Sequence, residues 1–71
     1  MRIGVFDSGI GGISVLIRLV RELKNAEFVY YGDNENAPYG NRSDRDIIKL
    51  SFFAANKLLS YNADAIVVAC N

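Results

Sequence analysis

Residues 5–12, Val5-Phe6-Asp7-Ser8-Gly9-Ile10-Gly11-Gly12, decide the fold of this chain. They join an apolar run to an acid, a serine and three glycines, after which an apolar segment with helical spacing begins. This pattern is typical of a buried strand that turns through a tight loop into a helix. In parallel α/β sheets such a loop lies at the carboxyl end of a strand, where ligands bind.

Strand-like and helix-like segments alternate along the rest of the chain. Strands are predicted over residues 2–6, 27–31 and 64–70, and helices over residues 12–24 and 43–61. The first and third strands are apolar on both faces, as central parallel strands are. The order βαβαβ implies parallel strands joined by right-handed crossovers. We therefore predict an α/β domain with a three-layer parallel sheet, strand one central and strand order 2-1-3.

Each predicted helix has an apolar stripe and recognisable ends. The residues of the two stripes recur at helical intervals: Leu16, Leu19, Val20 and Leu23 in the first, and Ile47, Leu50, Ala54, Leu58 and Leu59 in the second. Ser43 is placed to cap the second helix, with Asp46 in the capping-box position. Asn25 is predicted to end the first helix in a left-handed conformation, and Asn62 to stop the second.

Composition excludes several classes of protein. The 71 residues are 51% apolar and 23% charged, which is typical of a single globular domain. Eight basic and eight acidic residues cancel, so no net field attracts nucleic acid or an anionic membrane. The longest uncharged apolar run, residues 65–70, is too short to span a bilayer, and the start of the chain lacks a signal-peptide pattern. With one cysteine and no histidine, we expect a cytoplasmic protein without the commonest metal ligand.

Polar residues follow each predicted strand. Asp7 ends the first, Gly32 and Asp33 end the second, and Cys70 and Asn71 end the third. Because parallel strands end at one edge of a sheet, the Asp7 and Cys70 backbones are expected about 5 Å apart on adjacent strands. A thiolate is a strong base, which a helix amino terminus favours and an ionised neighbouring acid disfavours. The sequence leaves open which effect dominates.

Ordinary structural roles are the alternative for each of these residues. A lone cysteine at a strand end is commonly a small buried hydrophobe. Asp7 can cap the first helix or close an Asx turn, and the glycines can serve close packing alone. Tyr39 can be an exposed aromatic in the loop over residues 32–41.

Nucleotide binding is a weaker alternative for the glycine loop. A P-loop requires a lysine, and none precedes Lys24. A dinucleotide fingerprint requires glycine where Ser14 stands, although Asp33 is placed like a ribose-binding acid. Asp7 would also put a negative charge beside the pyrophosphate.

Four motifs together resemble the amino-terminal part of bacterial glutamate racemase, in the family's order and at its spacing. They are Phe-Asp-Ser-Gly-Ile-Gly-Gly at residues 6–12, Tyr-Gly-Asp at 31–33, Pro-Tyr-Gly at 38–40 and Val-Ala-Cys-Asn at 68–71. The resemblance covers essentially the whole chain. It implies a racemase with two α/β domains that acts on glutamate without cofactor or metal, through two cysteines on opposite faces of the α-carbon.

The resemblance also implies a role for individual residues. Cys70 matches one of the two cysteines, and Asp7 matches the acid that assists it. Ser8, Tyr39, Gly40 and Asn71 match positions that bind the substrate's carboxylate and amino groups. The implied product, D-glutamate, feeds peptidoglycan synthesis, and the implied full-length protein is a homodimer.

The sequence departs from the family pattern in two ways. Asn34 stands where threonine is usual, and these 71 residues contain no second cysteine with its neighbouring histidine. We therefore expect residues 1–71 to be a partial amino-terminal racemase domain that is inactive without the second domain. A non-catalytic ligand-binding or interaction fragment and an aspartate racemase relative are the alternatives. Asp-Ser-Gly and Pro-Tyr-Gly favour the glutamate branch over the latter.

Overall fold

The computed structural model describes residues 1–9 and 11–69 and contains a three-stranded sheet and two α-helices. In chain order the elements are β1 (Arg2–Asp7), α1 (Ile13–Glu22), β2 (Glu27–Gly32), α2 (Asp44–Ser60) and β3 (Ala65–Val68). Two short 3₁₀ turns, Asn34–Asn36 and Tyr39–Asn41, lie between β2 and α2.

The sheet is parallel throughout, with the order β2-β1-β3. Asp7 at the end of β1 is paired with Gly32 of β2, and Phe6 is paired with Val68 of β3. These pairings confirm the predicted α/β class, the central position of the first strand and the order 2-1-3. They also bring the ends of the three strands to one edge.

The local signal at the start of α2 is confirmed. The Ser43 hydroxyl accepts a hydrogen bond from the backbone N–H of Asp46 at 3.2 Å. Asp44 and Asp46 lie in the first turn and Lys57 in the last, so these charges oppose the helix dipole at both ends. After the helix, Asn62 adopts a positive φ of 65°, which fits its predicted role in stopping α2.

The predicted end of α1 is wrong. The helix stops at Glu22, Leu23 is its C-cap, and Ala26 donates a backbone hydrogen bond to the Leu23 carbonyl at 3.2 Å. The chain therefore leaves the helix through a tight turn, and Asn25 is not in a left-handed conformation; Asn62 is the only non-glycine residue with positive φ in the described ranges.

The main core lies between the sheet and α2. Its buried members are Phe6, Tyr39, Ala54, Leu58 and Ala63. Gly4 permits the close contact of β1 with this helix, since a Cβ at Gly4 would lie 3.1 Å from Leu58. Leu59, predicted to belong to the same apolar face, is 53% exposed because it lies about 100° from Leu58 around the helix axis.

The face occupied by α1 is less completely covered. Leu16 and Leu19 of the predicted stripe are half-buried, whereas Val20 and Leu23 are exposed. The periodicity therefore identified the inward-facing side of α1, but it overestimated how much of that side is covered. Within residues 1–9 and 11–69, neither helix is long and apolar enough to cross a bilayer.

Leu58 and Leu59 provide a matched test of this packing. Leu58 is 1% exposed, so Leu58→Ala should lower the free energy of unfolding by about 2–5 kcal/mol through lost burial and the cavity left behind. Leu59→Ala makes the same chemical change one residue away on the exposed side, and should change it by about 0.5 kcal/mol or less. Urea unfolding followed by circular dichroism measures both, and equal losses would contradict the assigned helix face.

Candidate active site

Backbone hydrogen bonds gather the three strand ends around Asp7. The N–H of Asp33 donates to the Asp7 carbonyl at 2.9 Å, and the N–H of Ala69 donates to the Phe6 carbonyl at 2.7 Å. These bonds continue the pairing just past the last residues of β2 and β3. Asp7 therefore lies in the centre of the carboxyl edge, where the sequence predicted a site.

The Asp7 side chain is buried, with 3% of the residue exposed. Its Oδ2 accepts a short hydrogen bond from the Gly12 backbone N–H and a longer one, at 3.4 Å, from the Tyr30 hydroxyl. Both donors reach the same oxygen, and none of the hydrogen bonds among residues 1–9 and 11–69 reaches Oδ1. Asp7 thus binds the end of the glycine loop, five residues further along the chain, and neither caps α1 nor closes an Asx turn through this bond. Its other carboxylate oxygen has no hydrogen-bond partner among the described residues.

Two glycines allow the backbone to approach this carboxylate closely. A Cβ at Gly12 would lie 2.8 Å from the Asp7 Cβ and 3.1 Å from the Ala69 Cβ. A Cβ at Gly32 would lie 2.6 Å from the Gly9 carbonyl oxygen. No described glycine has a positive φ, so space and not left-handed geometry explains these two positions.

Ser8 and Gly40 lie at accessible parts of this edge. Ser8 follows Asp7 directly and is half-buried, and its hydroxyl has no hydrogen-bond partner within the described part of the chain. Gly40 is exposed, with open space where a Cβ would be. Both positions are thus compatible with the predicted contacts to a substrate.

Tyr39 belongs to the core and is not an exposed loop aromatic. It is 8% exposed, its ring centroid lies 6.1 Å from that of Phe6, and its hydroxyl donates a short hydrogen bond to Asp33. Because the Tyr39 hydroxyl donates its proton to the Asp33 carboxylate, a contact between residue 39 and a substrate is better made by the backbone than by this hydroxyl.

Asp33 is the residue at this edge whose role the sequence did not identify. Its carboxylate accepts from Tyr39 and from the Asn36 side-chain amide, at 3.0 and 3.1 Å to its two oxygens. Asp33 therefore anchors the loop after β2. These bonds leave it poorly placed to bind a ribose, which weakens the nucleotide alternative. The position of Asp33 directly after a strand was the sequence signal that could have indicated a role at this edge.

The acidic loop also affects Tyr31. Burial raises the pKa of the Tyr31 hydroxyl, and the negative charges of Asp33 and Glu35 raise it further. The neutral phenol is therefore favoured beside the site.

Cys70 and Asn71 lie outside the described residues, as does Ile10. The predicted neighbourhood of Asp7 and Cys70 remains a prediction, with Ala69 as the last described residue before the cysteine. Among the described residues, no cluster of three or more acidic, cysteine or histidine side chains could hold a metal ion.

Comparison with known proteins provides independent information about this arrangement. No family model matches the sequence. The chain is 49% identical over 71 residues to glutamate racemase of Clostridium novyi and 51% identical over 71 residues to that of Campylobacter curvus. The chain is a relative of the glutamate racemases. All of its length is matched in both comparisons, but it spans only 27% of each of these proteins.

Solved structures of the family have the same fold over this region. The glutamate racemase from Aquifex pyrophilus superposes with a TM-score of 0.93 at 43% identity, over 96% of this chain and 27% of that one. The crystal structure of the Thermus thermophilus enzyme in complex with β-chloro-D-alanine gives 0.92 at 45% identity, over 97% and 27%. The sequence resemblance to glutamate racemase is thereby confirmed.

Gly12 and Gly40 test the close packing at the Asp7 carboxylate. Gly12→Ala should push Asp7 and the end of β3 apart and destabilise the fold by about 1–3 kcal/mol, as overpacking does. Gly40→Ala adds the same methyl group in open space and should cost less than about 1 kcal/mol. Thermal or urea unfolding compares the two variants; equal stability would show that Gly12 is not sterically required.

The raised pKa of Tyr31 predicts that the fold loses stability at alkaline pH. Because the pKa of Tyr31 is higher in the folded than in the unfolded chain, its neutral phenol contributes fully to the free energy of unfolding below the unfolded pKa of about 10. This contribution is lost as the pH rises through the pKa of the folded state. Tyr31→Phe should therefore reduce the fall in unfolding free energy between pH 9 and pH 11, relative to Tyr61→Phe at an exposed position. An unaltered pH dependence in the Tyr31 variant would contradict this assignment.

Proposed function

We propose that this chain supplies one half of the active site of a glutamate racemase, with Cys70 as one catalytic base and Asp7 as the acid that assists it. The observation that carries the proposal is Asp7 itself. It is buried at the end of the central strand, is held through one carboxylate oxygen, and lies beside β3, which Cys70 follows two residues later in the sequence. The relationship to glutamate racemases supports glutamate as the substrate.

In the proposed reaction, the Cys70 thiolate removes the α-proton of one enantiomer. The electron pair left on the α-carbon is delocalised into the substrate carboxylate, and a second thiol donates a proton to the opposite face. The two steps exchange one proton for another, so no net oxidation occurs and no cofactor is required. In the reverse direction the two thiols exchange roles, which is why acid–base groups are needed on both faces.

Binding of the substrate is assigned to residues around the carboxyl edge. Ser8, Tyr39, Gly40 and Asn71 are proposed to hold its carboxylate and amino groups. Fixed donors at the carboxylate stabilise the charge that develops during proton removal. The open position of Gly40 supports this assignment, as does the Ser8 hydroxyl, which has no hydrogen-bond partner among the described residues.

Several broader features of the proposal follow from the family relationship. Residues 1–71 are proposed to form part of the first of two α/β domains, the second of which would contribute the other cysteine. On this basis the 71 residues alone do not racemise glutamate. The complete protein is proposed to be a cytoplasmic homodimer that supplies D-glutamate for peptidoglycan and so supports cell shape, without nucleic-acid or membrane partners.

Exposed apolar residues favour the second candidate, an interaction fragment. Phe52 and Val68 are 66% and 65% exposed, and β3 is an edge strand among the described elements. Such a surface can recruit another polypeptide. This role would not require Cys70 as a base, and it can therefore be separated from racemisation by experiment.

A chimera tests the proposed function directly. These 71 residues replace the matching segment of the Clostridium novyi glutamate racemase, and α-proton exchange into deuterated solvent is measured together with racemisation. The chimera should be active, and Cys70→Ser should reduce both rates about 10²–10⁴-fold, the usual contribution of general acid–base catalysis.

Controls separate this outcome from loss of folding and from a different substrate. Circular dichroism should show the Cys70→Ser chimera to be folded, and aspartate is assayed beside glutamate to examine the aspartate racemase alternative. Full activity in the Cys70→Ser variant would eliminate Cys70 as a base. An inactive but folded chimera would favour the interaction fragment.

A further inference from the structure

The hydroxyl of Tyr30 lies between the Asp7 carboxylate and the glycine loop. Its oxygen is 3.4 Å from Asp7 Oδ2 and 3.2 Å from the Gly9 carbonyl oxygen. Its single proton can be donated to either acceptor. A carboxylate is a stronger acceptor than a backbone carbonyl, since hydrogen bonds to charged groups are roughly twice as strong as neutral ones.

The register of the sheet explains how Tyr30 reaches this position. Val5 is paired with Tyr30 and Asp7 with Gly32, so all four residues project from the same face of the parallel sheet. Gly32 contributes no side chain there. A Cβ at that position would lie 3.0 Å from the Tyr30 ring and 3.2 Å from its hydroxyl oxygen. The tyrosine side chain thus extends across the glycine to the end of the neighbouring strand.

We propose that Tyr30 is a positioning residue that orients Asp7 for its role beside the thiol. The inference rests on the proposed function of Asp7 and extends it to a residue outside the family motifs. Tyr30 and the Gly12 N–H both donate to Oδ2, so two donors hold the same oxygen of the carboxylate. The other oxygen, Oδ1, is then held in a constant orientation. A fixed orientation makes a catalytic group more effective.

Tyr31 provides a matched control. It is the next residue of β2 and projects from the opposite face, where its ring stacks on Phe6 at a centroid distance of 6.1 Å. Its hydroxyl makes no hydrogen bond within the described residues. Tyr31→Phe therefore removes the same atom as Tyr30→Phe while leaving the Asp7 carboxylate untouched.

The kinetic test uses the chimera described above. Tyr30→Phe should lower kcat about tenfold, the loss expected for a hydrogen bond to a charged group, and should change KM less than about twofold. Tyr31→Phe should leave both constants within about twofold of the parent. Equal kinetic effects of the two substitutions would overturn the proposal, because they would indicate general packing and not orientation of Asp7.

A double-mutant cycle shows whether Tyr30 acts through Asp7. In an Asp7→Asn background, Tyr30→Phe should lower the rate of α-proton exchange less than about twofold, since the group that it positions is already altered. A tenfold loss that persists in this background would assign the effect to the Gly9 contact and overturn the proposal. A Tyr30→Phe chimera that fails to fold would do the same, because the lost hydroxyl would then be a folding determinant.

The same cycle measured by urea unfolding of the chimera needs no activity. Coupling between Tyr30→Phe and Asp7→Asn, and none between Tyr31→Phe and Asp7→Asn, supports the contact even in a chimera that does not racemise. In that case the proposed function fails while the contact stands. A racemising chimera without this coupling would overturn the positioning role and leave the proposed function intact.

Discussion

The hydrogen bond from the Gly12 N–H to the Asp7 carboxylate joins the end of β1 to the start of α1. It requires a buried acid at the end of the central strand and a residue without a side chain at the start of the helix. Burying a charged group is unfavourable unless donors compensate it. The glycine loop returns the backbone to Asp7, so that the Gly12 N–H supplies one of those donors.

The two faces of the sheet have different roles. Phe6 and Tyr31 project towards α2 and belong to the apolar core or pack against it. On the other face, Asp7 and Tyr30 lie beside the glycine loop and bind each other through polar atoms. Because successive side chains of a strand alternate between the two faces, a side chain of the apolar core is followed directly by a polar side chain of the candidate active site. A substitution at one position need not disturb the other face.

Local signals in the sequence predicted much of this structure. The strand order and the Ser43 cap follow from apolar runs and from a hydroxyl at a helix start. The prediction for Asn25 failed because the helix ends earlier and leaves through a local turn, and the one for Leu59 failed because the exact face of the helix decides burial. The burial of Tyr39 and its bond to Asp33 depend on how a loop folds over the sheet, which residue spacing does not specify. The contact between Tyr30 and Asp7 required the register of two strands.

Gly32 has a consequence for how this sequence can diverge. Its missing side chain makes room for the ring of residue 30, while the Gly9 carbonyl occupies the remaining space. A larger residue at position 32 is compatible with this backbone only if the loop moves away and residue 30 becomes shorter. The two positions are therefore expected to covary among homologues, as a steric pair whose members lie on the same strand.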